Sequence, residues 1–299
     1  PYLRGHMECR ASGGAYPVFA CSLGGISDET DDAEQYLFIG EGIQSPVHRI
    51  GEEWFDMENA LIEAKDLTFS YGEVPALEQI SFEVRAGECI GLVGANGAGK
   101  STLLKMMMGL LEGYAGTLSV GGLPVIRKNY PQIRRLAGYL FQDSRHQLFS
   151  QTVYEDVAFG PVNYGYSPEE VRERVEHAMK MVHIEDLGER PVYQMSGGQT
   201  KLAALATLLA MEPKLVLFDE PSAALDPKNR RGLMEIIRQM PATRLIASHD
   251  LDFIYDTCQR VILLYQGRIV GQGSVQEILT DEKKLQTYDL ELPLRFSNK

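Results

Sequence analysis

Three stretches of this chain carry residue types at spacings that suit phosphate chemistry. GANGAGKS (Gly94–Ser101) fits the pattern GxxxxGK[ST] and lies between an apolar run and a helix-forming run. Gly94, Gly97 and Gly99 let the backbone curl so that its N–H groups face phosphate oxygens. Lys100 adds a point charge for the outer phosphates, and Ser101 a hydroxyl for Mg²⁺. A glycine-rich turn that merely reverses the chain is the plain alternative, and a Lys-Ser pair at this spacing argues against it. The second stretch, KLVLFDE, ends an apolar run on Asp219 and Glu220. Acids at the end of a buried parallel strand emerge at its carboxyl edge, where α/β ligands bind. Asp219 is then a holder of Mg²⁺, directly or through water, and Glu220 orients or deprotonates an attacking water. Without the phosphate loop the same pair reads as a solvated strand end. The third, LIASHD, places His249 at another such edge, where it can donate a hydrogen bond to the terminal phosphate rather than serve as a structural or surface histidine. Gln142, closing GYLFQ, is in reach of the metal or the water. Tyr71 in FSYG is either a stacking platform for a base or an exposed loop tyrosine.

A further anion-binding feature sits about a hundred residues after the first. MSGGQTKLAALATLLA begins at Met195, places Ser196, Gly197, Gly198 and Gln199 next, and runs directly into a helix. Bare N–H groups at the positive end of a helix dipole attract an anion. One chain thus offers a complete phosphate cradle and a surplus helix end. Both are used if two copies face each other head to tail, each closing its SGGQ over the other's nucleotide. An ordinary helix start with Ser196 as N-cap is the alternative.

The elements that must position these residues are legible in outline. LIEAKDLTFSY and LEQISFEVRAGECIGLVG alternate or run apolar like strands. A helix is expected from Lys100, then strands in GTLSV and LAGYLF. Three helices follow. Thr152 and Glu155 form a capping box for the first. Ser167 and Glu170 do so for the second, with Pro168 at its first position and Val171, Val175, Met179 and Val182 on one face. The SGGQ stretch starts the third. KLVLFDE, TRLIASHD and RVILLYQGRIVGQG then read as buried strands between helices, the pattern of a parallel α/β sheet. The expectation is an α/β core over 61–285 with a helical insertion at about 143–210, and a tail over 286–299.

Residues 1–60 differ. They are rich in Gly, Ser and acids, show no sustained period, and read as a poorly ordered leader or a cloning remnant, since GHM at Gly5–Met7 resembles one. Met57 stands where a shorter chain could begin, so residues 1–56 are expected to be dispensable. The apolar patch AYPVFACSL is too short and poorly flanked for a signal peptide.

Bulk properties narrow the function classes. The 299 residues carry a formal net charge of −12, which argues against a dedicated nucleic-acid binder. Cys9, Cys21, Cys89 and Cys258 are scattered without CxxC spacing, so neither a disulfide framework nor a zinc site follows, and Cys89 is expected in a buried strand. That usage fits a reducing, cytoplasmic setting. LAALATLLAM at Leu202–Met211 is far short of a membrane span, so work at a membrane needs another subunit to supply the spans.

Together these motifs resemble the ATP-binding cassette (ABC) ATPases over roughly Leu61–Pro293. The resemblance implies a P-loop fold of mostly parallel sheet with an antiparallel β subdomain and a helical insertion, using ATP and Mg²⁺. Tyr71 is similar to the adenine-stacking loop and Gln142 to the Q-loop. Gly94–Thr102, including Asn96 and Thr102, is similar to the phosphate loop. Met195–Gln199 resembles the family signature, Ser222–Asp226 the D-loop with Asp226, and His249 the switch histidine. FQDSRHQLFSQTVYEDVAFGP and the late LELPL look like the ATPases of energy-coupling-factor importers, which drive uptake of vitamins or of cobalt and nickel. There the segment after the Q-loop helps form a groove for a transmembrane partner's coupling helix. Leu148, Phe149, Val153 and Val157 supply apolar side chains for it, or else pack in the chain's own core, which for Val157 is the favoured reading. Met195 stands for the usual Leu. Thr200-Lys201-Leu202 lacks the usual basic run, which implies weaker contacts there. Ser222 and Ala224 replace Thr and Gly, and Asp143–His146 replaces an Asn-Pro-Asp-Asp run.

The implied partners are a second cassette, identical or paralogous, and a transmembrane subunit that holds the chain at the cytoplasmic face of the membrane. No nucleic acid is expected. The other readings are a cassette of another importer or of an exporter, and a soluble cassette ATPase acting on DNA or ribosomes. The last is disfavoured by the acidic balance, the single cassette and the lack of a coiled-coil insertion.

Overall fold

The computed structural model describes residues 9–11, 19–21 and 60–296. Two compact units divide the chain, Pro1–Glu52 and Glu53–Lys299. In the first, β1 (Cys9–Ala11) pairs antiparallel with β2 (Phe19–Cys21). The rest of the expected leader lies outside the described residues.

The second unit begins with β3 (Ala60–Tyr71) and β4 (Val74–Arg85), long alternating strands that fold back on each other. With β6 (Ala115–Val120) and β7 (Leu123–Pro124) they form an antiparallel sheet ordered β4-β3-β6-β7. The larger sheet is built from β5 (Cys89–Val93), β8 (Ala137–Leu140), β9 (Leu215–Asp219), β10 (Thr243–Ser248), β11 (Arg260–Tyr265) and β12 (Arg268–Ser274). Its order is β12-β11-β5-β10-β9-β8, parallel throughout except for the β11–β12 edge hairpin.

The near-continuous apolar strands are explained by cover on both faces. Along β9, Leu215 and Leu217 join one core with α1 (Lys100–Met107) and the antiparallel sheet, while Val216 and Phe218 join the other, with the helices of the opposite face. β5 divides in the same way: Ile90 and Leu92 lie on one side, Cys89 and Val93 on the other. This is the two-residue period of a strand sorted into two layers.

α2 (Tyr130–Leu136) leads into β8, and between β8 and β9 lie α3 (Val153–Asn163), α4 (Pro168–Met181) and α5 (Gly197–Leu209). All three open on formed capping boxes, Thr152–Glu155, Ser167–Glu170 and Ser196–Gln199. The apolar face of α4 is buried as expected at Val171, Val175 and Met179, and Val182 at its C-cap is buried too. The groove expectation is corrected here for Val153, while Val157 lies in the core as favoured. Val153 and Val157 are fully buried where α3 packs on α4 and α5, so they belong to the chain's own core, and Leu148 is largely buried with them. Phe149 alone of that set stands exposed.

After α6 (Pro227–Gln239), β10 leads into α7 (Leu251–Thr257). The short helices α8 (Val275–Leu279) and α9 (Glu282–Thr287) close the fold. The tail is pinned to α7: Arg295 pairs with Asp252 and Asp256, and Phe296 packs on Tyr255. Among the described residues no helix is long and apolar enough to cross a membrane.

Candidate functional site

The loop after β5 can only be glycine-rich. Gly94 has φ 156° and a Cβ there would lie 2.3 Å from the Leu264 carbonyl oxygen. Gly99 has φ 103° and a Cβ there would lie 2.7 Å from that of Ala76. These approaches bring the loop backbone round the start of α1, with Asn96 and Gly97 at the exposed rim. Lys100 is 6% exposed, and its Nζ donates to the Gly94 and Ala95 carbonyls at 2.7 and 3.2 Å. Burial lowers the pKa of this ammonium, opposed by the nearby carboxylates of Glu220 and Asp219. A phosphate would supply the missing negative charge.

β5, β9 and β10 end side by side and deliver the acids to this loop. Ser101 Oγ donates to Asp219 Oδ1 at 2.8 Å, joining the first turn of α1 to the tip of β9. Glu220 follows in a left-handed backbone conformation, φ 47°, which few non-glycine residues adopt and which is typical of strained functional positions. Its amide donates to Ala247 O at 2.8 Å, and its carboxylate is buried. Glu220 Oε1 lies 3.7 Å from Lys100 Nζ. Its Oε2 lies 2.9 Å from His249 Nδ1 and accepts from Ser248 Oγ at 3.0 Å. The structure thus brings Lys100, Ser101, Asp219, Glu220 and His249 into one cluster.

The remaining expected residues hold less direct places. Gln142 does not close its strand: β8 ends at Leu140, and Gln142 stands exposed two residues beyond, because the chain turns there into the 144–146 helical turn. Tyr71 is half-exposed, 3.4 Å from Thr102 Oγ1 through its hydroxyl and edge-on to Phe69. Asp226 is exposed and caps α6 by accepting from Lys228 and Asn229 amides. Ser196 both caps α5 and leaves Gly197 exposed beside it, so the helix start is an ordinary cap and an open end at once. Among the described residues no hydrogen bond joins Ser196, Gly197, Gly198 or Gln199 to residues 94–102.

Sequence reasoning passed over three residues at this site. Ser248 holds the Glu220 carboxylate from directly before His249, a position in which polarity at a buried strand end was the available signal. Tyr139 OH donates to Asp219 Oδ2 at 2.8 Å from the middle of β8, where its aromatic ring reads as core. Lys201, noted only for the basic run it fails to continue, turns inward and reaches the carbonyls of Glu220 and Ala223, each at 3.4 Å. The cysteines gave no spacing signal, yet Cys89 and Cys258 are buried with their sulfurs 3.7 Å apart.

On the helical insertion an apolar patch stays open. Phe149 and Phe159 are 66% and 49% exposed and pack edge to face at 4.7 Å. Phe149, Leu148, Arg145, Tyr193 and Met195 line a groove of about 690 Å³.

Comparison with known proteins agrees with this geometry. The family model "ABC transporter" matches residues 77–223. A Geobacter sulfurreducens protein named "Putative ABC transporter ATP-binding protein" is 42% identical over 80% of this chain and 96% of its own length. An "Energy-coupling factor transporter ATP-binding protein" of Methanoculleus marisnigri is 38% identical over 78% of this chain and 86% of its own. The solved structure of cbiO1 from Clostridium perfringens, described as part of the ABC transporter complex cbiONQ, superposes with a TM-score of 0.70 at 34% identity, covering 79% of this chain and 97% of that one. A phosphate loop, a strand-end carboxylate pair and a facing histidine, on a fold shared with these relatives, make this chain a member of the ABC transporter family, an ATP-binding subunit whose ATP hydrolysis is coupled to transport.

Proposed function

We propose that the chain is the ATPase of an energy-coupling-factor type importer for a vitamin or for cobalt or nickel. It works as a pair of cassettes, identical or paralogous, on the cytoplasmic face of a membrane. Each pocket combines the Lys100 cradle of one subunit with the Ser196–Gln199 helix end and Asp226 loop of the other. The observation that carries this reading is that, among the described residues, the two anion-binding ends share no hydrogen bond, while each is formed and has exposed residues at its rim. ATP held by two subunits converts binding energy into closure, and hydrolysis releases it.

Within the pocket, Gly94, Asn96, Gly97, Gly99, Lys100 and Thr102 cradle the phosphates, and Tyr71 stacks the adenine. The donors fit Mg²⁺: a hydroxyl and a carboxylate joined at 2.8 Å, both oxygen, while among the described residues no group of three or more His, Cys, Asp or Glu is placed to hold a metal ion by itself. That suits a hard cation that keeps its waters and takes phosphate oxygens as further ligands. Ser101 and Asp219 would hold it, with Gln142 reaching it once its loop closes; when bound, it offsets phosphate charge. Glu220 orients and accepts a proton from the attacking water, and His249 holds Glu220 and the terminal phosphate. Little covalent work falls to the protein, so positioning and electrostatics carry the rate.

The energy-coupling-factor assignment is supported by the Methanoculleus relative and by the exposed Phe149–Phe159 pair, which offers a coupling helix an apolar seat. Capture of the tagged chain from native membranes tests it. An integral membrane protein recovered with the chain, and lost on Phe149→Ser, is the expected result. Recovery of ribosomes or nucleic acid, with no membrane protein, contradicts it.

A further inference from the structure

Asp219 is 4% exposed and both of its carboxylate oxygens are spoken for. Oδ1 accepts from Ser101 Oγ, and Oδ2 accepts from Tyr139 OH, each at 2.8 Å. Tyr139 is itself 5% exposed and stands opposite Leu217 in the β8–β9 register, two residues before Asp219, so its ring leans along the sheet to the strand tip. The hydroxyl is the donor in this bond, because a carboxylate oxygen can only accept. A tyrosine serving only as core filling would satisfy its hydroxyl on a main-chain carbonyl or at the surface. This one spends it on a carboxylate.

We propose that Tyr139 is a positioning residue for the metal site: its hydroxyl holds Asp219 in the rotamer that keeps Oδ1 beside Ser101. Without it, Oδ2 is a buried acceptor lacking a donor, and the carboxylate is free to rotate away from the hydroxyl with which it shares the cation. Removing a group that orients a metal ligand in this way typically costs about 10–100-fold in metal affinity. Tyr139 also ties the site to the segment that carries Gln142, because its ring packs edge-on to Phe141 at 4.7 Å between centroids. The proposal rests on the reading that Ser101 and Asp219 hold Mg²⁺.

The test is Mn²⁺ affinity by electron paramagnetic resonance, on the full chain with a non-hydrolysable ATP analogue. The parent is compared with Tyr139→Phe, Asp219→Asn and the double variant. Tyr139→Phe is expected to weaken Mn²⁺ by about tenfold, with metal-free nucleotide affinity unchanged and no further loss on top of Asp219→Asn. Mn²⁺ affinity equal to the parent's, or a full additional loss in the double variant, overturns the role of Tyr139. Parental affinity in Asp219→Asn overturns the metal reading instead. Should the phenylalanine variant not fold, Tyr139→His, which keeps a ring N–H, is compared with Tyr139→Leu: tighter Mn²⁺ in the histidine variant supports the donor, and equal affinity in the two removes it.

Discussion

Glu220 and His249 face each other across the end of the sheet, with Oε2 of one 2.9 Å from Nδ1 of the other. Glu220 comes from the tip of β9 and His249 from the tip of β10, neighbouring parallel strands. The contact therefore needs only in-register strand ends and the left-handed turn of Glu220 at φ 47°. It fixes a carboxylate that also lies 3.7 Å from Lys100 Nζ.

Glu220→Gln keeps the shape and removes the proposed base. Turnover should fall by about 10²–10⁴-fold, the usual share of a positioned general base. ATP binding should survive, and the variant should accumulate as a closed dimer with ATP on size exclusion. Rapid hydrolysis by this variant removes Glu220 as the base.

Ser248 is a milder case. Its hydroxyl donates to Glu220 Oε2 and accepts from the Asp250 amide at 3.0 Å. Ser248→Ala loses one charge-assisted bond of roughly 1–3 kcal/mol. We expect kcat to drop by about tenfold with KM for ATP held, read from steady-state kinetics. A rise in KM alone points to the nucleotide cradle rather than to Glu220.

The placement of the candidate site residues was more legible in the sequence than the surfaces. Gly94–Ser101, Asp219, Glu220 and His249 could be placed because each sits at the end of an apolar strand, and parallel strands deliver their ends to one edge. The capping boxes of α3 and α4 were legible for a similar reason, since caps are local in sequence. What could not be read depends on which face of an element meets which neighbour. Val153 and Phe149 look alike in a string, yet one packs on α4 and α5 and the other meets solvent. Tyr139 and Lys201 were hidden because a long side chain turned inward looks like core or surface until its partner across the fold is known.

That division gives a stability test. Val157→Ala, at a fully buried site, should cost roughly 1–3 kcal/mol in denaturant unfolding. Phe149→Ser, at a largely exposed site, should change stability by no more than about 0.5 kcal/mol. A larger loss from Phe149→Ser shows that the aromatic pair holds the fold rather than a partner.

Arg230 holds Asp250 through two hydrogen bonds of 2.9 Å at the start of α7, where Asp250 also caps the Phe253 amide. Burial alone raises the Asp250 pKa. The Arg230 fork and the Phe253 amide outweigh it, so the net shift is downward. The sign follows: this pair stabilises the fold above the ordinary aspartate pKa of about 3.9 and ceases to as pH falls through the lower folded value. Asp250→Asn should therefore be less stable than the parent at neutral pH, with the gap narrowing as pH falls below about 4. Urea unfolding at several pH values checks this, and a gap that widens in acid contradicts it.

The most direct test of pocket sharing is specific ATPase activity across a dilution series, with oligomeric state followed by mass photometry. Activity per subunit should track the dimer fraction and vanish as the chain becomes monomeric, and Ser196→Arg should abolish it at every concentration. Constant activity per subunit in a fully monomeric sample, indifferent to Ser196, would show that one chain completes its own pocket.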